Sequence, residues 1–327
     1  MQVYHQIDLI IKIILSVGET RMEEDLKIRN KEIRRGAFTA FLFVVFVMGV
    51  SQIVSMIVPS IPSQLVSSVC MIVGTIVILA TKGKPDKGTL FQTRNKMTAT
   101  GLIVLLGAFM AAKLVSLVPS ALLLKAFVNE ENASALESMT ATASSPIYQF
   151  IFLGIVTPFG EEIVFRGCIG SNFRKHGIWF AMIMSSVLFA MYHCNMFQLV
   201  STFLPGIVLF YIAMNYSIKW SILFHFINNG VMSIGFTELK KVIPVPFIAN
   251  YGEYILEIAL VILMICLLKK DKAGTKLKSF LGESKNEKGV YKAAIGNVWF
   301  ILILIFVAAM SIGMLAMLDG SIQMPQP

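Results

Sequence analysis

Charged residues are scarce in this sequence of 327 residues. Asp, Glu, Lys and Arg make up 14% of it, where a soluble globular domain carries about 25%. Hydrophobic residues make up 56%. The polar connections between the apolar stretches are short, and none is large enough to form a separate soluble domain. The composition therefore argues against a soluble protein and indicates one that is embedded in a membrane.

The sequence also shows no paired cysteine spacing and no internal repeat, and its N-terminal apolar run is not expected to be a signal peptide. Without a visible repeat, a secondary transporter built from two related halves is less favoured. The apolar run 8–17 is too short to span a membrane and has neither an early basic region nor a small-residue cleavage site. It predicts an interfacial amphipathic helix instead. Four cysteines without metal or redox spacing are expected to be packing residues: Cys70, Cys168, Cys194 and Cys266.

Long apolar runs are what the sequence has in abundance. A helix needs roughly 20 mostly apolar residues to cross the hydrocarbon core of a bilayer. Nine runs qualify, and they predict an all-α fold, a polytopic transmembrane bundle of about nine helices. The predicted spans are residues 37–58, 62–80, 97–118, 146–165, 178–194, 197–215, 219–236, 251–268 and 295–318.

The distribution of positive charge predicts the topology. The net charge is +9, from 28 Lys and Arg against 19 Asp and Glu. Most of the basic residues lie before the first span, in the loop 81–96 and in the lysine-rich tract 269–292, which predicts a solvated linker. With nine spans these segments share one side, so the positive-inside rule predicts a cytoplasmic N-terminus and an outside C-terminus. Attraction to anionic lipid then accounts for the excess of basic residues, which argues against a nucleic-acid partner.

Two adjacent glutamates and an arginine lie at the end of the fourth predicted span. Glu162 and Arg166 are four residues apart on one helical face, with the acid first, which favours an ion pair. Glu161 points about 100° away from that face. This leaves Glu161 free to act as a proton acceptor. In the alternative interpretation both glutamates lie at the membrane edge, Arg166 extends to the lipid headgroups, and nothing is catalysed.

Two histidines lie in the fifth and seventh predicted spans. His193 ends an apolar helix, and His225 shares a helical face with Asn229 four residues later. A membrane histidine is often an interhelical hydrogen-bond contact. Together with a free carboxylate, however, these residues supply the groups that peptide hydrolysis needs. An imidazole holds a metal or orients water, a carboxylate accepts the water's proton, and a carboxamide stabilises the oxyanion.

The three motifs, in this order, resemble those of the CAAX prenyl endopeptidases and their bacterial relatives, the CPBP intramembrane proteases. The similarity covers residues 146–236. A shared site in that stretch requires tilted helices or a fourth helix that continues toward Phe173, because His193 lies about 20 Å from the predicted membrane edge. The matching residues are Glu161, Glu162 and Arg166 for EExxxR, Phe189 and His193 for FxxxH, and His225 and Asn229 for HxxxN.

The resemblance implies an intramembrane endopeptidase in which Glu161 and His193 activate water. His225 and Asn229 would complete the site as metal ligands or oxyanion donors. The motifs leave two mechanisms open, one with zinc (Zn2+) held by Glu161, His193 and His225, and one that depends on the glutamate alone. The residues implied to support the site are Glu162, Arg166 and Phe189.

The implied substrate is a membrane-associated peptide or protein, with a prenylated one as an analogy, and the other partner is the lipid bilayer. The alternatives are a non-catalytic scaffold or bacteriocin self-immunity protein of the same family and, as a third class, a transporter or channel. The basic loops fit a multi-pass protein of a bacterial plasma membrane. Four regions are expected: a cytoplasmic segment 1–36, three spans in 37–145, a catalytic core of four helices in 146–236, and two spans with the lysine-rich loop in 237–327.

Overall fold

The computed structural model describes residues 2–81, 92–128 and 145–318, and before residue 23 it describes only the side chain of Glu19. The described residues form helices and no β-strand, which confirms the predicted all-α class. The helices are α1 (Gln2–Val44, continued by Val45–Val50 and Ser51–Ile57), α2 (Ser63–Ala80), α3 (Ala99–Phe127), α4 (Pro146–Gln149, Phe150–Val156, Thr157–Glu161, Glu162–Gly170, Ser171–Phe173 and Arg174–His176), α5 (Ile178–Tyr192), α6 (Met196–Asn215), α7 (Ile218–Phe226, Ile227–Gly235 and Phe236–Lys240), α8 (Pro246–Asp271), α9 (Ala273–Leu281), α10 (Val290–Ile295) and α11 (Val298–Leu318).

Seven helices in the described part of the chain are long and apolar enough to cross a membrane: α1, α2, α3, α4, α6, α8 and α11. Each coincides with a predicted span, so the chain is a multi-pass membrane protein. The other two predicted spans correspond to α5 and α7. The 15 residues of α5 cover about 22 Å, less than a hydrocarbon core of about 30 Å. The count of nine spans and the orientation of the termini stay predictions.

Helix α5 is buried along almost its whole length. It packs against α1, α4, α6 and α11. A helix that is apolar on every face is expected in the interior of a bundle, and α5 has this composition. Its C-terminal end therefore places Phe189, Tyr192 and His193 among the surrounding helices.

Helices α4 and α7 cross closely and both contain π-helical stretches. A Cβ added to Gly154 of α4 would lie 3.2 Å from the Cα of Gly230 of α7. Glycine at such a crossing lets two membrane helices approach each other. Helix α4 also continues to His176, beyond the predicted end of the fourth span. This extension is one of the two arrangements that would allow a shared site. Because π-helical turns occur frequently at functional sites, this pair of helices is a natural location for one.

The basic tract between α8 and α11 is not the solvated linker that its lysines predicted. Residues 273–295, here called the belt, contain α9 and α10 and bury the side chain of Phe280. The belt also caps α5. The backbone N–H of Ile178 donates to Ser284 Oγ at 3.1 Å. The N–H of Phe180 donates to Asn286 Oδ1 at 3.0 Å.

Helix α8 packs along α3 and is otherwise largely exposed on the surface of the described structure. A Cβ added to Gly107 of α3 would lie 2.5 Å from the carbonyl oxygen of Leu260. Nearby, Lys113 Nζ lies 2.9 Å from Glu253 Oε1 and 2.5 Å from Glu257 Oε1. Charged groups inside a membrane are costly unless they pair. These three side chains therefore join α3 to α8.

Candidate active site

Glu162 and Arg166 of α4 are fully buried and form the ion pair that their spacing predicted. Arg166 Nη1 lies 3.0 Å from Glu162 Oε1, and Arg166 Nη2 donates to the carbonyl of Gly206 in α6 at 3.2 Å. The guanidinium carbon lies 4.0 Å from the centre of the Phe189 ring. A buried charge is tolerated when it is paired and hydrogen-bonded. Arg166 therefore joins α4 to α5 and α6, and its side chain stays inside the protein.

His225 of α7 lies between the two glutamates. Its Nδ1 is 3.0 Å from Glu162 Oε1, and its Nε2 is 3.8 Å from Glu161 Oε2. The close carboxylate of Glu162 is an acceptor, so we assign a proton to Nδ1 and the lone pair to Nε2. Glu161 is 1% exposed and His225 is 5% exposed. An imidazole nitrogen and a carboxylate oxygen thus face each other inside the bundle.

His193 lies at the C-terminal end of α5 and is partly exposed. Its Nδ1 is 3.0 Å from the carbonyl oxygen of Phe189. The ring of Phe189 stands edge-on to both histidines, with centroids 5.1 Å from His193 and 5.9 Å from His225. Among the described residues, no hydrogen bond or ion pair links His193 to Glu161. Phe189 therefore brings the two imidazoles into one site, and His225 is the one that faces the free glutamate.

Asn229 lies one turn beyond His225 on α7 and is partly exposed. Its Nδ2 donates to the carbonyl of Leu153 in α4 at 3.1 Å. Its Oδ1 accepts a hydrogen bond from Asn228 Nδ2 at 2.8 Å. The carboxamide is thus bonded to the backbone of the glutamate-bearing helix. Nδ2 carries a second N–H, which can donate to an oxyanion while the first stays bonded to Leu153.

Tyr192 is a residue of this site that the sequence analysis did not identify. Its side chain is buried and lies beside the carboxyl group of Glu161. Ser221 of α7 lies beside Glu162, and its hydroxyl donates to the carbonyl of Ile218 at 3.0 Å. The available signal was the position of Tyr192 next to His193, since a buried tyrosine hydroxyl usually finds a polar partner. Which partner it finds depends on the neighbouring helix.

The predicted zinc ligands are Glu161, His193 and His225. Both histidines have Nδ1 bonded to an acceptor, as ligating histidines usually do. A catalytic zinc ion needs three protein ligands. Within the described ranges, however, no three His, Cys, Asp or Glu side chains are arranged to hold a metal ion. Zinc at this site therefore stays a prediction from the sequence.

Comparison with protein families gives a match over the helices that form this site. Residues 143–231 match the family model described as Type II CAAX prenyl endopeptidase Rce1-like. Searches of curated proteins and of solved structures give no significant match. The matched residues include all three motifs, and the match confirms the resemblance that these motifs indicated. Over residues 143–231 the chain is therefore similar to the Rce1-like type II CAAX prenyl endopeptidase family.

Proposed function

We propose that this chain is an intramembrane endopeptidase in which Glu161 activates water for attack on a peptide bond. The observation that supports this proposal is the separation of 3.8 Å between Glu161 Oε2 and His225 Nε2. A water molecule about 2.8 Å from each atom would bridge two acceptors at this separation. Both side chains are buried, so electrostatic interactions with the reacting atoms are strong.

The reaction follows from the acceptors around this water. One water hydrogen points to Glu161 Oε2 and the other to the lone pair of His225 Nε2, which leaves an oxygen lone pair for the carbonyl carbon. As the C–O bond forms, the proton moves to Glu161. Glu161 then returns the proton to the amide nitrogen as the C–N bond breaks, which gives a carboxylic acid and an amine.

His193 and Asn229 are proposed to contact the substrate. Both are partly exposed, whereas Glu161 and His225 are enclosed. The exposed pair is therefore the part of the site that a peptide reaches first. From there the carboxamide of Asn229 can donate to the developing oxyanion.

The proposed substrate is a peptide or protein anchored in the same membrane, and the family makes a prenylated peptide the first probe. A peptide in the bilayer can approach partly exposed residues between helices without crossing an aqueous phase. A bacterial plasma membrane is proposed as the location, from the basic loops. Zinc-dependent hydrolysis remains the second mechanism, and inhibition by 1,10-phenanthroline distinguishes it from a glutamate-dependent one.

The test is cleavage of membrane-anchored and farnesylated peptides in proteoliposomes, read by mass spectrometry. The variants are Glu161→Gln, His225→Gln and His193→Gln. Glu238→Gln is the matched control, because Glu238 is partly exposed and its ion pair in the described structure is with Lys241. We expect Glu161→Gln to lose about 10²- to 10⁴-fold in rate, the usual contribution of a general base. The control should cleave like the wild type.

The remaining outcomes of the cleavage experiment distinguish the alternative functions and mechanisms. Wild-type turnover in Glu161→Gln would overturn the proposal. If the wild type cleaves no peptide while the variants still support its cellular role, the chain is a scaffold or immunity protein. A larger loss in His225→Gln than in His193→Gln supports the water position derived from the 3.8 Å separation. The reverse order supports activation by His193, as the motifs implied.

A further inference from the structure

A large cavity lies at the end of the helices that carries the belt. Its volume is about 840 Å³, and it is lined by residues of α3, α5 and α6, by the end of α8 and by α9. On α5 the lining residues are Trp179 and Met182, at the end opposite to His193. Cavities of about 300–1,000 Å³ commonly hold a small molecule. This cavity is therefore large enough for a ligand of its own.

The cavity is apolar at its inner end and basic at its mouth. Lys269 and Lys272 line the mouth at the end of α8, and Tyr216 lines it just after the end of α6. From Tyr216 to Ile207 along α6 the cavity is about 14 Å deep. This shape fits a molecule with one charged end and a long apolar part. The inner walls are formed by Val104, Leu105, Ala108, Met182, Ile207 and Val208.

The charges at the mouth favour an anion. Asp271 also lines the cavity, but its Oδ1 lies 2.7 Å from Lys276 Nζ, so its charge is compensated. Lys269 and Lys272 are exposed, and among the residues that the structure describes neither forms an ion pair. The first turn of α9 lines the same opening. Its backbone N–H groups have no acceptor within the helix and favour negative charge.

The cavity opens to the surface of the molecule at the level of the lipid headgroups. Trp179, Leu268 and Leu277 line it and are exposed. Tryptophan is enriched where a membrane meets water. Two of the surrounding helices, α3 and α8, are long and apolar enough to cross the bilayer. A lipid of the adjacent leaflet can therefore enter the cavity without passing through water.

We propose that this cavity is a binding site for an anionic phospholipid. Its acyl chains lie between α3 and α6, and its phosphate lies at Lys269, Lys272 and the first turn of α9. Lysines at the membrane surface attract anionic lipid, whereas a zwitterionic lipid brings no net charge. The bound lipid also joins the belt to α3 and α6. This inference is independent of the proposed function, because it involves neither Glu161 nor His225.

The test is native mass spectrometry of the full-length protein with phosphatidylglycerol and with phosphatidylcholine of the same acyl chains. We expect the wild type to bind phosphatidylglycerol about 10- to 30-fold more tightly, the combined effect of two lysines. The double variant Lys269→Gln, Lys272→Gln should lose most of this preference. Lys278→Gln with Lys285→Gln is the matched control, because both are exposed lysines of the belt outside the cavity. The control should keep the preference.

Ala108→Phe tests the apolar part of the site, because Ala108 lines the inner end of the cavity. We expect about tenfold weaker binding of phosphatidylglycerol, since the acyl chains lose buried contact with the protein. Val208→Phe, on the α6 wall, repeats the test if Ala108→Phe does not fold. The thermal midpoint in detergent is an independent measurement. Phosphatidylglycerol should raise it more for the wild type than for the double lysine variant, because a ligand of the folded state stabilises that state.

Equal binding of the two lipids by the wild type would overturn the proposal. An equal loss of preference in the Lys278 and Lys285 control would do so too, since the attraction would then be diffuse. Unchanged binding in a folded filling variant would place the acyl chains elsewhere. Displacement of the lipid by glycerol phosphate would indicate a site for free phosphate, and displacement by a farnesylated peptide would assign the cavity to the substrate. Either displacement contradicts a phospholipid site.

Discussion

At the scale of single residues, Arg166 is the charged group with the largest consequences for the site. It is fully buried, it pairs with Glu162, and it donates to the carbonyl of Gly206. Removing one partner of a buried ion pair leaves the other charge uncompensated. Here that charge would be the carboxylate next to the proposed base. The effect of Arg166 on catalysis is therefore inseparable from its effect on folding.

We expect Arg166→Met to destabilise the protein by about 3–5 kcal/mol, the usual cost of breaking a buried pair. Arg166→Lys should have an intermediate effect, because an ammonium keeps the charge without the planar fork that reaches both Glu162 and Gly206. The measurement is the thermal midpoint of the purified protein in detergent. Arg34→Met is the control, because Arg34 lies exposed on α1. Equal midpoints for Arg166→Met and Arg34→Met would show that the buried pair is dispensable.

At the scale of helices, the turn between α4 and α5 determines how the two motif-bearing helices meet. Gly177 occupies this turn with φ of +131°, where side chains are rarely tolerated. A Cβ there would also lie 2.5 Å from the Cα of Asn286 in the belt. The belt caps the first turn of α5 through Ser284 and Asn286. The turn and the belt therefore hold α5 against α4 from the end opposite to His193.

Gly177→Ala is expected to cost about 1–3 kcal/mol, because backbone strain and the contact with Asn286 act together. Gly274→Ala, at a helical position of α9 with no atom within 4 Å of the added Cβ, is the control and should be neutral or slightly stabilising. Thermal midpoints in detergent compare the two. A midpoint for Gly177→Ala at or above that of Gly274→Ala would mean that the turn relaxes freely.

At the scale of the whole molecule, hydrogen bonds and ion pairs connect several of the basic segments on one face. Arg29 Nη1 donates to the carbonyl of Lys288 at 2.6 Å, and His176 pairs with Glu32 at 3.0 Å and with Glu287 at 3.2 Å. These contacts join the region before the first predicted span, the end of α4 and the belt. The positive-inside rule placed the same segments together. That this face is cytoplasmic stays a prediction.

Cysteine labelling in intact cells tests the orientation. Lys241→Cys, in the loop after α7, should react with a membrane-impermeant maleimide, and Lys285→Cys, in the belt, should react only after the cells are opened. Both positions are exposed. Cys266→Ser is the background, because Cys266 is the exposed native cysteine in the described part of the chain. Labelling of Lys285→Cys in intact cells would reverse the predicted topology.

Much of this architecture could be predicted from the sequence, because a helix in a bilayer must satisfy its own backbone and carry an apolar surface. The predicted spans coincide with helices of the structure, although α1, α3, α4, α7 and α8 extend beyond their predicted bounds. These helices continue into segments of lower hydropathy, because a helix does not have to end at the edge of the membrane. The belt was missed because its lysines dominate the composition, while the partners that bury Phe280 lie on other helices.

The sequence by itself determined the chemical groups of the candidate site and the helices that carry them. Spacing within one helix predicted the ion pair of Glu162 and Arg166, because residues four apart share a face. Only the tertiary structure decided which groups meet across helices: His225 opposite Glu161, and Tyr192 beside Glu161. These distances depend on the crossing of α4 and α7 and on the depth at which α5 ends. The spacing of residues along the sequence carries no information on this crossing or on this depth.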